Sequence, residues 1–134
     1  MSTANIEVVH AVAETFNRRD LDAFLELLDP EIEWIPIMAA LEGRVYRGHD
    51  GVRRWIDDLS VDWDVFETHQ EEFREVAGDR VLVFGRWHAR ARGSRVELEN
   101  EQASWLMSLR DGKVTRLQTF TVRGEALEAA GLSS

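Results

Sequence analysis

The chain contains no cysteine, one tyrosine and two prolines in 134 residues. Without thiols it can form neither disulfides nor thiolate-bound metal sites. No apolar run approaches the roughly 18 residues of a membrane-spanning helix, and the N-terminal stretch MSTANIEVVH lacks the basic and apolar regions of a signal peptide. These absences predict a cytoplasmic protein that has no membrane partner. Its core is expected to be stabilised by side-chain packing.

Positive charge is also scarce. Lysine and arginine number 16 against 25 aspartates and glutamates, which leaves a formal net charge of -9. A chain this acidic is repelled by phosphate backbones, so nucleic acid is not expected as a partner. The four histidines are scattered without metal-ligand spacing, and no glycine-rich phosphate loop occurs. Neither a metal nor another cofactor is expected.

Apolar residues, by contrast, are plentiful. They make up 44% of the chain and include five tryptophans and six phenylalanines. That is enough to fill the core of one compact domain, and no linker-like or repetitive segment divides the sequence. We therefore expect a single domain over residues 1–134.

The order of the periodic segments predicts helices first and strands afterwards. The stretch LDAFLELL is helical and ends before Asp29-Pro30, because the residue before a proline disfavours helical geometry. EIEWIPI alternates as a short strand, and its Pro36 indicates an edge strand. Helices followed by an antiparallel meander indicate an α+β fold. The expected elements are helices over 4–17, over 21–28 and within 46–60, strands over 31–37, within 67–91, over 95–109 and over 114–122, and one closing helical turn within 124–132.

The stretch VFGRWHARARGSRVELENEQASW, residues 83–105, predicts a hairpin that turns at Gly93-Ser94. Symmetric pairing about that turn puts three cross-strand pairs on one face: Arg90 with Glu97, His88 with Glu99 and Arg86 with Glu101. Burying ion pairs costs several kcal/mol per ion before their attraction repays it, so we expect this charge ladder outside. A catalytic interpretation, in which a carboxylate orients the His88 imidazole, stays open, and a bulge would swap the two faces locally.

The same register predicts the contents of both sheet faces beyond the ladder. Apolar residues continue on the outer face as a patch that a monomer seldom leaves in water. We therefore predict a homodimer formed through this outer patch, whose main residues are Phe84, Trp105, Met107 and Phe120.

Three stretches, AVAETFNRRDLDAFLELLDPEIEW, YRGHDGVRRWIDDL and GDRVLVFGRWHARARGSRVELENEQASWLMSLRDGKVTRLQTF, resemble the SnoaL-like branch of the nuclear transport factor 2-like superfamily. The resemblance spans roughly residues 5–131. It implies a cone-shaped fold in which a curved, mostly antiparallel sheet wraps around N-terminal helices and encloses a pocket. Members include polyketide cyclases, ketosteroid isomerases, epoxide hydrolases and dehydratases, so the fold alone assigns no reaction.

The catalytic groups of these relatives have no counterpart here. The base, the tyrosine and the acid of ketosteroid isomerases correspond to Pro36, Val12 and Ser104, which cannot do their work. The aspartate that many relatives carry on the last strand corresponds to Val122. The predicted inner strand positions also lack the Asp-Arg-Asp set of the epoxide hydrolases.

What the predicted pocket offers is aromatic walls with a short polar stripe, a composition typical of small-molecule sites. The walls also suit an ordinary core, whereas a row of buried amides is costly without partners. We expect a small hydrophobic ligand in contact with Phe16, Trp34, Met38, Trp55, Trp87, Asn100, Gln102, Ser104 and Thr119. His49 and Tyr46 are expected at the mouth, either as acid-base groups or in structural roles.

Three functions remain open from the sequence. The first is a small-molecule-binding protein with an apolar, amide-lined pocket. The second is a cyclase, isomerase or dehydratase that uses His49 and Tyr46. The third is a dimeric interaction module with a vestigial pocket. Whether the protein is an enzyme is not decided by these residues.

Overall fold

The computed structural model describes residues 3–132, which form five helices and six strands. The helices precede most of the sheet, so the predicted α+β class is confirmed. None of the helices within the described range is long and apolar enough to cross a membrane. The elements are α1 (Thr3–Asn17), α2 (Leu21–Glu26), β1 (Leu28–Ile35), α3 (Ile37–Glu42), β2 (Tyr46–Arg47), α4 (Gly48–Asp62), β3 (Trp63–Val76), β4 (Arg80–Ala91), β5 (Glu97–Arg110), β6 (Lys113–Phe120) and α5 (Arg123–Ala129).

All six strands form one sheet in the order β2-β1-β6-β5-β4-β3. Neighbours are antiparallel except β1 and β6, which run parallel. Helices α1, α2 and α4 pack on the inner face, where Val9, Phe24 and Val52 meet Val83 and Leu117 in the main hydrophobic core. The helices and the sheet thus enclose the interior between them.

Local sequence signals explain most of these elements. Asp20 caps α2 as predicted, with its side chain accepting from Ala23 N at 3.3 Å. One expectation was wrong, and one helix was not expected. β1 pairs on both sides and is not an edge, because Pro36 lies after its last residue and precedes α3. Helix α3 was not expected: it has only six residues and, unlike α2, no side chain caps its N-terminus.

The sheet bends at Gly85, in the middle of β4. The pairing of β4 with both neighbouring strands is irregular at this point. In β3 the irregularity lies between Gln70 and Glu72, and the register between β4 and β5 shifts between Gly85 and Trp87. A Cβ on Gly85 would lie 2.0 Å from the carbonyl oxygen of His69. Bulges bend a strand and increase its twist, and here the close backbone approach requires glycine.

The register shift corrects one prediction about the faces of β5. Near the turn the pairing is as expected, with Arg90 opposite Glu97 and Trp87 opposite Asn100. Past the shift, Val83 faces Trp105. A one-residue slip moves every later side chain to the other face. Trp105 and Met107 therefore contribute to the inner core, and their predicted position on the outer face is wrong.

Part of the outer face is covered by α5, which the sequence had indicated as a single turn. Phe84 is buried in a second cluster with Leu82, Leu106 and two small residues of the C-terminal segment, Ala126 and Ala130. The helix can lie close to the sheet because alanine side chains are short. The guanidinium of Arg123 lies 3.8 Å from the centroid of the Phe84 ring, and Phe120 packs half-buried at the edge of the same cluster.

Candidate functional site

A cavity of about 60 Å³ lies between the helices and the inner face of the sheet. It exceeds the roughly 10–15 Å³ that a single water needs. Helices α1, α2 and α4 and strands β1, β3, β4, β5 and β6 all contribute to its wall, which includes four of the five tryptophans. Its aromatic residues are Phe16, Phe24, Trp34, Trp55, Phe66, Trp87 and Trp105.

The aromatic rings contact one another along the wall. Phe16 stacks on Trp55 with ring centroids 5.2 Å apart, and Trp34 meets Trp55 at the same distance in a tilted arrangement. Phe66 and Trp87 stack at 6.1 Å on the sheet side. Such pairs hold their rings in preferred geometries, so the wall is largely preformed.

Arg19 lies next to the cavity wall, where it contacts Phe16. Its guanidinium lies 4.3 Å from the centroid of the Phe16 ring, and its two terminal nitrogens donate to the carbonyls of Phe16 and Phe66 at 2.9 and 2.8 Å. Burial lowers the pKa of Arg19, while the nearby Glu67 carboxylate acts in the opposite direction. The arginine joins the end of α1 to β3 at the edge of the cavity without lining it.

Three polar atoms of the lining have no hydrogen-bond partner among residues 3–132. They are Nε1 of Trp34, Nε1 of Trp87 and Oγ1 of Thr119. A buried polar group without a partner costs about 1–3 kcal/mol. Thr68, another lining residue, is satisfied: its hydroxyl donates to Asn17 Oδ1 and accepts from Gln70 Nε2, both at 2.9 Å.

No aspartate, glutamate, histidine, lysine or arginine of the described chain lines the cavity. Proton transfer by a side chain requires a titratable group within hydrogen-bond reach of the reacting atom. Among the described residues, the side chains that line the cavity are therefore all uncharged.

The two predicted mouth residues lie outside the cavity. His49 Nε2 lies 2.8 Å from the Leu28 carbonyl oxygen, which accepts a hydrogen bond from the ring, and this contact joins α4 to β1. Tyr46 donates to Asp58 Oδ2 at 2.7 Å in a shallow groove that shares Trp55 with the cavity. Burial raises the pKa of Tyr46; the hydrogen bond from Arg44 lowers it and Asp58 raises it further.

The predicted polar stripe does not line the cavity either. Asn100 Nδ2 donates to the Thr121 carbonyl at 3.3 Å, and its Oδ1 accepts from Gln102 N at 2.7 Å. Gln102 Oε1 accepts from Arg123 N at 3.3 Å. Ser104 is fully buried and donates to the Gln102 carbonyl at 3.2 Å. Because the register shifts here, these side chains hydrogen-bond to the irregular backbone around the bulge.

The remaining residues predicted to contact a ligand fall into two groups, those that line the cavity and those that lie outside it. Met38 is 44% exposed on α3 and borders the groove of Tyr46. The predicted residues that do line the cavity are Phe16, Trp34, Trp55, Trp87 and Thr119; their contact with a ligand stays a prediction. Sequence reasoning missed Phe24, Phe66, Thr68, Gln70, Trp105 and Met107. The last two could have been found only by locating the bulge.

The charge ladder lies on the outer face, as predicted, but the side chains of His88 and Arg86 do not pair with Glu99 and Glu101. His88 hydrogen-bonds to Glu97 through Nε2 and has Nδ1 3.7 Å from Glu67. The hydrogen bond to Glu97 is the main cause of a raised pKa for His88. Arg86 pairs with Glu71 across the bulge of β3, at 3.2 Å. Within residues 3–132 no group of three or more histidines and carboxylates could hold a metal ion.

A cavity enclosed by N-terminal helices and a bent, mostly antiparallel sheet defines the class of nuclear transport factor 2-like proteins. Within that class, the SnoaL-like domain family matches residues 9–117. The match covers most of the chain, and the chain belongs to the SnoaL-like family. No curated protein matches its sequence.

Solved structures agree with this assignment. A nuclear transport factor 2-like protein of unknown function from Burkholderia pseudomallei is 25% identical, with a TM-score of 0.76 and coverage of 97% of this chain and 98% of that one. TerC, co-crystallised with polyporic acid, is 27% identical, with a TM-score of 0.74 and coverage of 96% and 98%. A candidate polyketide cyclase from Pseudomonas putida, 18% identical with a TM-score of 0.68 and coverage of 90% and 92%, shares the fold.

Proposed function

We propose that this protein binds a small apolar molecule in its inner cavity and does not catalyse a reaction there by acid-base chemistry. One observation carries the proposal. The cavity has aromatic walls and no ionisable lining residue, yet three of its buried polar atoms lack partners among residues 3–132. This composition is typical of ligand sites, with apolar walls and a few placed polar groups.

The comparisons support small-molecule binding without naming the ligand. TerC, at 27% identity over nearly the whole chain, was crystallised with polyporic acid. We take this as support for a small organic ligand in the same kind of fold. The cavity of about 60 Å³ is small, so a large ligand would require lining side chains to move.

A second candidate function is a cyclase, isomerase or dehydratase that works from the groove beside the cavity. The observation in its favour is the Tyr46–Asp58 hydrogen bond of 2.7 Å, since the groove and the cavity share Trp55. Against it, the raised pKa of Tyr46 makes the phenol a weaker proton donor. His49 is also engaged with a backbone carbonyl. We therefore favour the binding protein.

The experiment begins with native mass spectrometry of freshly purified protein and identification of any released compound. The same compound is then titrated into two variants of α1, Ala13→Leu and Ala11→Leu. Ala13 and Ala11 both border an outer groove beside α1, but only Ala13 also lines the cavity. We expect the leucine at position 13 to fill the cavity and abolish binding, with binding unchanged in the matched control.

Two results would contradict the proposal. Binding that survives in a folded Ala13→Leu protein would place the ligand elsewhere. A turnover of the compound that disappears in Tyr46→Phe, while binding persists, would favour the enzyme. The change to phenylalanine removes only the hydroxyl that contacts Asp58.

A further inference from the structure

We infer that the ligand of the inner cavity is an uncharged aromatic compound with a hydrogen-bond-accepting oxygen, which the indole N–H group of Trp34 or that of Trp87 recognises. An aryl ketone is the simplest member of this class. The inference rests on the proposed function, because it concerns the chemistry of whatever the cavity binds.

The absence of charge in the ligand follows from the lining. No ionisable side chain within residues 3–132 borders the cavity. An isolated carboxylate or ammonium group placed in such surroundings loses its hydration without gaining a counter-charge, which is far more costly than burying a neutral polar group. A charged molecule is therefore excluded, and a neutral one is accepted.

The need for an acceptor follows from the two indoles. An indole Nε1–H can only donate. In both Trp34 and Trp87 this atom is buried, belongs to a lining side chain and has no acceptor among the described residues. Trp34 as a whole is only 4% exposed, so bulk solvent does not reach it freely. A ligand oxygen in the cavity supplies the missing acceptor.

The two donors belong to different ends of the lining. Trp34 lies on β1 and Trp87 on β4, and β6 and β5 separate these strands. Thr119, on β6, provides a third unpartnered polar atom between them, in a hydroxyl that can donate or accept. Trp55 meets Trp34 in a tilted arrangement and Phe66 stacks on Trp87, so the surroundings of both donors are aromatic. An aromatic ring with an oxygen substituent suits these surroundings, and because the cavity is only about 60 Å³, lining side chains have to move to admit it.

The test uses three monosubstituted benzenes of similar size. Acetophenone carries a neutral carbonyl, cumene replaces its oxygen by a methyl group, and benzoate carries a charge. Dissociation constants are measured by calorimetry for the parent, the double variant Trp34→Phe/Trp87→Phe and the control Trp63→Phe, a residue outside the cavity. The phenylalanines keep an aromatic ring at each position but remove the donor together with part of the ring volume. The measured quantity is therefore the ratio of the affinities for acetophenone and cumene, and not the affinity for either probe alone.

We expect the parent to bind acetophenone about 2- to 10-fold more tightly than cumene, the range of one net neutral hydrogen bond, and benzoate more weakly than either. The preference should vanish in the double variant and persist in Trp63→Phe. A second measurement does not depend on the variants folding: in proton–nitrogen spectra of the parent, acetophenone should move the indole signal of Trp34 or Trp87 downfield.

The outcomes separate the two proposals. If cumene binds as tightly as acetophenone, the cavity binds small molecules but recognises no acceptor, and the inference is overturned alone. If benzoate binds as tightly as acetophenone, the exclusion of charge is wrong. If none of the three probes binds up to its solubility limit, the inference fails together with the proposed function.

Discussion

Gly85 lies in β4 beside the bulge of β3, where the backbones of the two strands come unusually close. A Cβ at this position would meet the His69 carbonyl oxygen at 2.0 Å and the Cα of Gln70 at 3.1 Å. Both neighbours are backbone atoms, so neither can rotate away. The position therefore requires glycine for space, although its φ is ordinary.

Gly85→Ala is expected to lower the free energy of unfolding by about 1–3 kcal/mol or more, the usual cost of overpacking. Urea denaturation followed by tryptophan fluorescence measures the change. Gly124→Ala is the matched control, because a Cβ on Gly124 meets nothing within 4 Å. Equal stability of the two variants would show that the bend relaxes easily.

His88 is the residue at which we expect pH to act on stability. Its hydrogen bond to Glu97 is the largest cause of its raised pKa, and the carboxylates of Glu67 and Glu99 act in the same direction. A group whose pKa is higher in the folded state stabilises that state fully below the unfolded pKa, about 6.5. The contribution is lost as pH rises through the folded pKa.

Thermal unfolding of the parent and of His88→Gln is therefore expected to differ most below about pH 6.5 and to converge in alkaline buffer. Glu97→Gln, which removes the main cause of the shift, should reduce the same difference. A gap between parent and His88→Gln that widens toward alkaline pH would contradict the assignment.

At the scale of elements, helix α5 packs on the outer face of the sheet and covers part of it. Ala126 is fully buried in the cluster with Leu82, Phe84 and Leu106, whereas Ala129 on the same helix is exposed. The apolar residues of the sheet had predicted a partner for this face, and part of that role belongs to the chain's own C-terminal helix. The helical pattern of α5 is too short for the sequence to predict how much of the sheet this helix covers.

Ala126→Asp is expected to undock α5, because an unpaired carboxylate cannot remain in this cluster. Unfolding should become easier by about 2 kcal/mol or more, and a hydrophobic dye should bind the exposed face. Ala129→Asp carries the same charge on the solvent side and should change neither property. Dye binding by both variants would mean that charge on α5, and not burial, is responsible.

At the scale of the whole molecule, the position of Trp105 bears on association. It lines the inner cavity and packs against the main core, so it is not available to a second copy. The homodimer predicted from the sequence stays a prediction, and a contact surface for it would have to be sought beyond Trp105 and Met107.

We expect Trp105→Ala to leave the sedimentation mass at micromolar concentration the same as that of the parent. Unfolding should nevertheless become easier by as much as 3–5 kcal/mol, the cost of truncating a large aromatic side chain in a core. Loss of mass on this substitution, with the fold intact, would return Trp105 to an interface and contradict its placement inside.

The fold was predictable to a large extent because its signals are local. The helical period of α1, the Asp20 cap and the alternation of the long strands are all properties of neighbouring residues. Helix α3 was missed because it is short and, unlike the equally short α2 with Asp20, it has no side-chain cap at its N-terminus. β1 was misjudged because Pro36 follows the strand instead of lying within it.

The sequence by itself determined the α+β class, the SnoaL-like resemblance, the outer charge ladder and the hairpin register from Trp87 to Arg90. Only the tertiary structure decided which side of β5 faces inward beyond the bend. Alternation predicts a face only while the pairing stays in register, and the shift beside Gly85 arises from contacts between strands that are distant in sequence. That shift places Trp105 and Met107 in the cavity and removes the amide row from it.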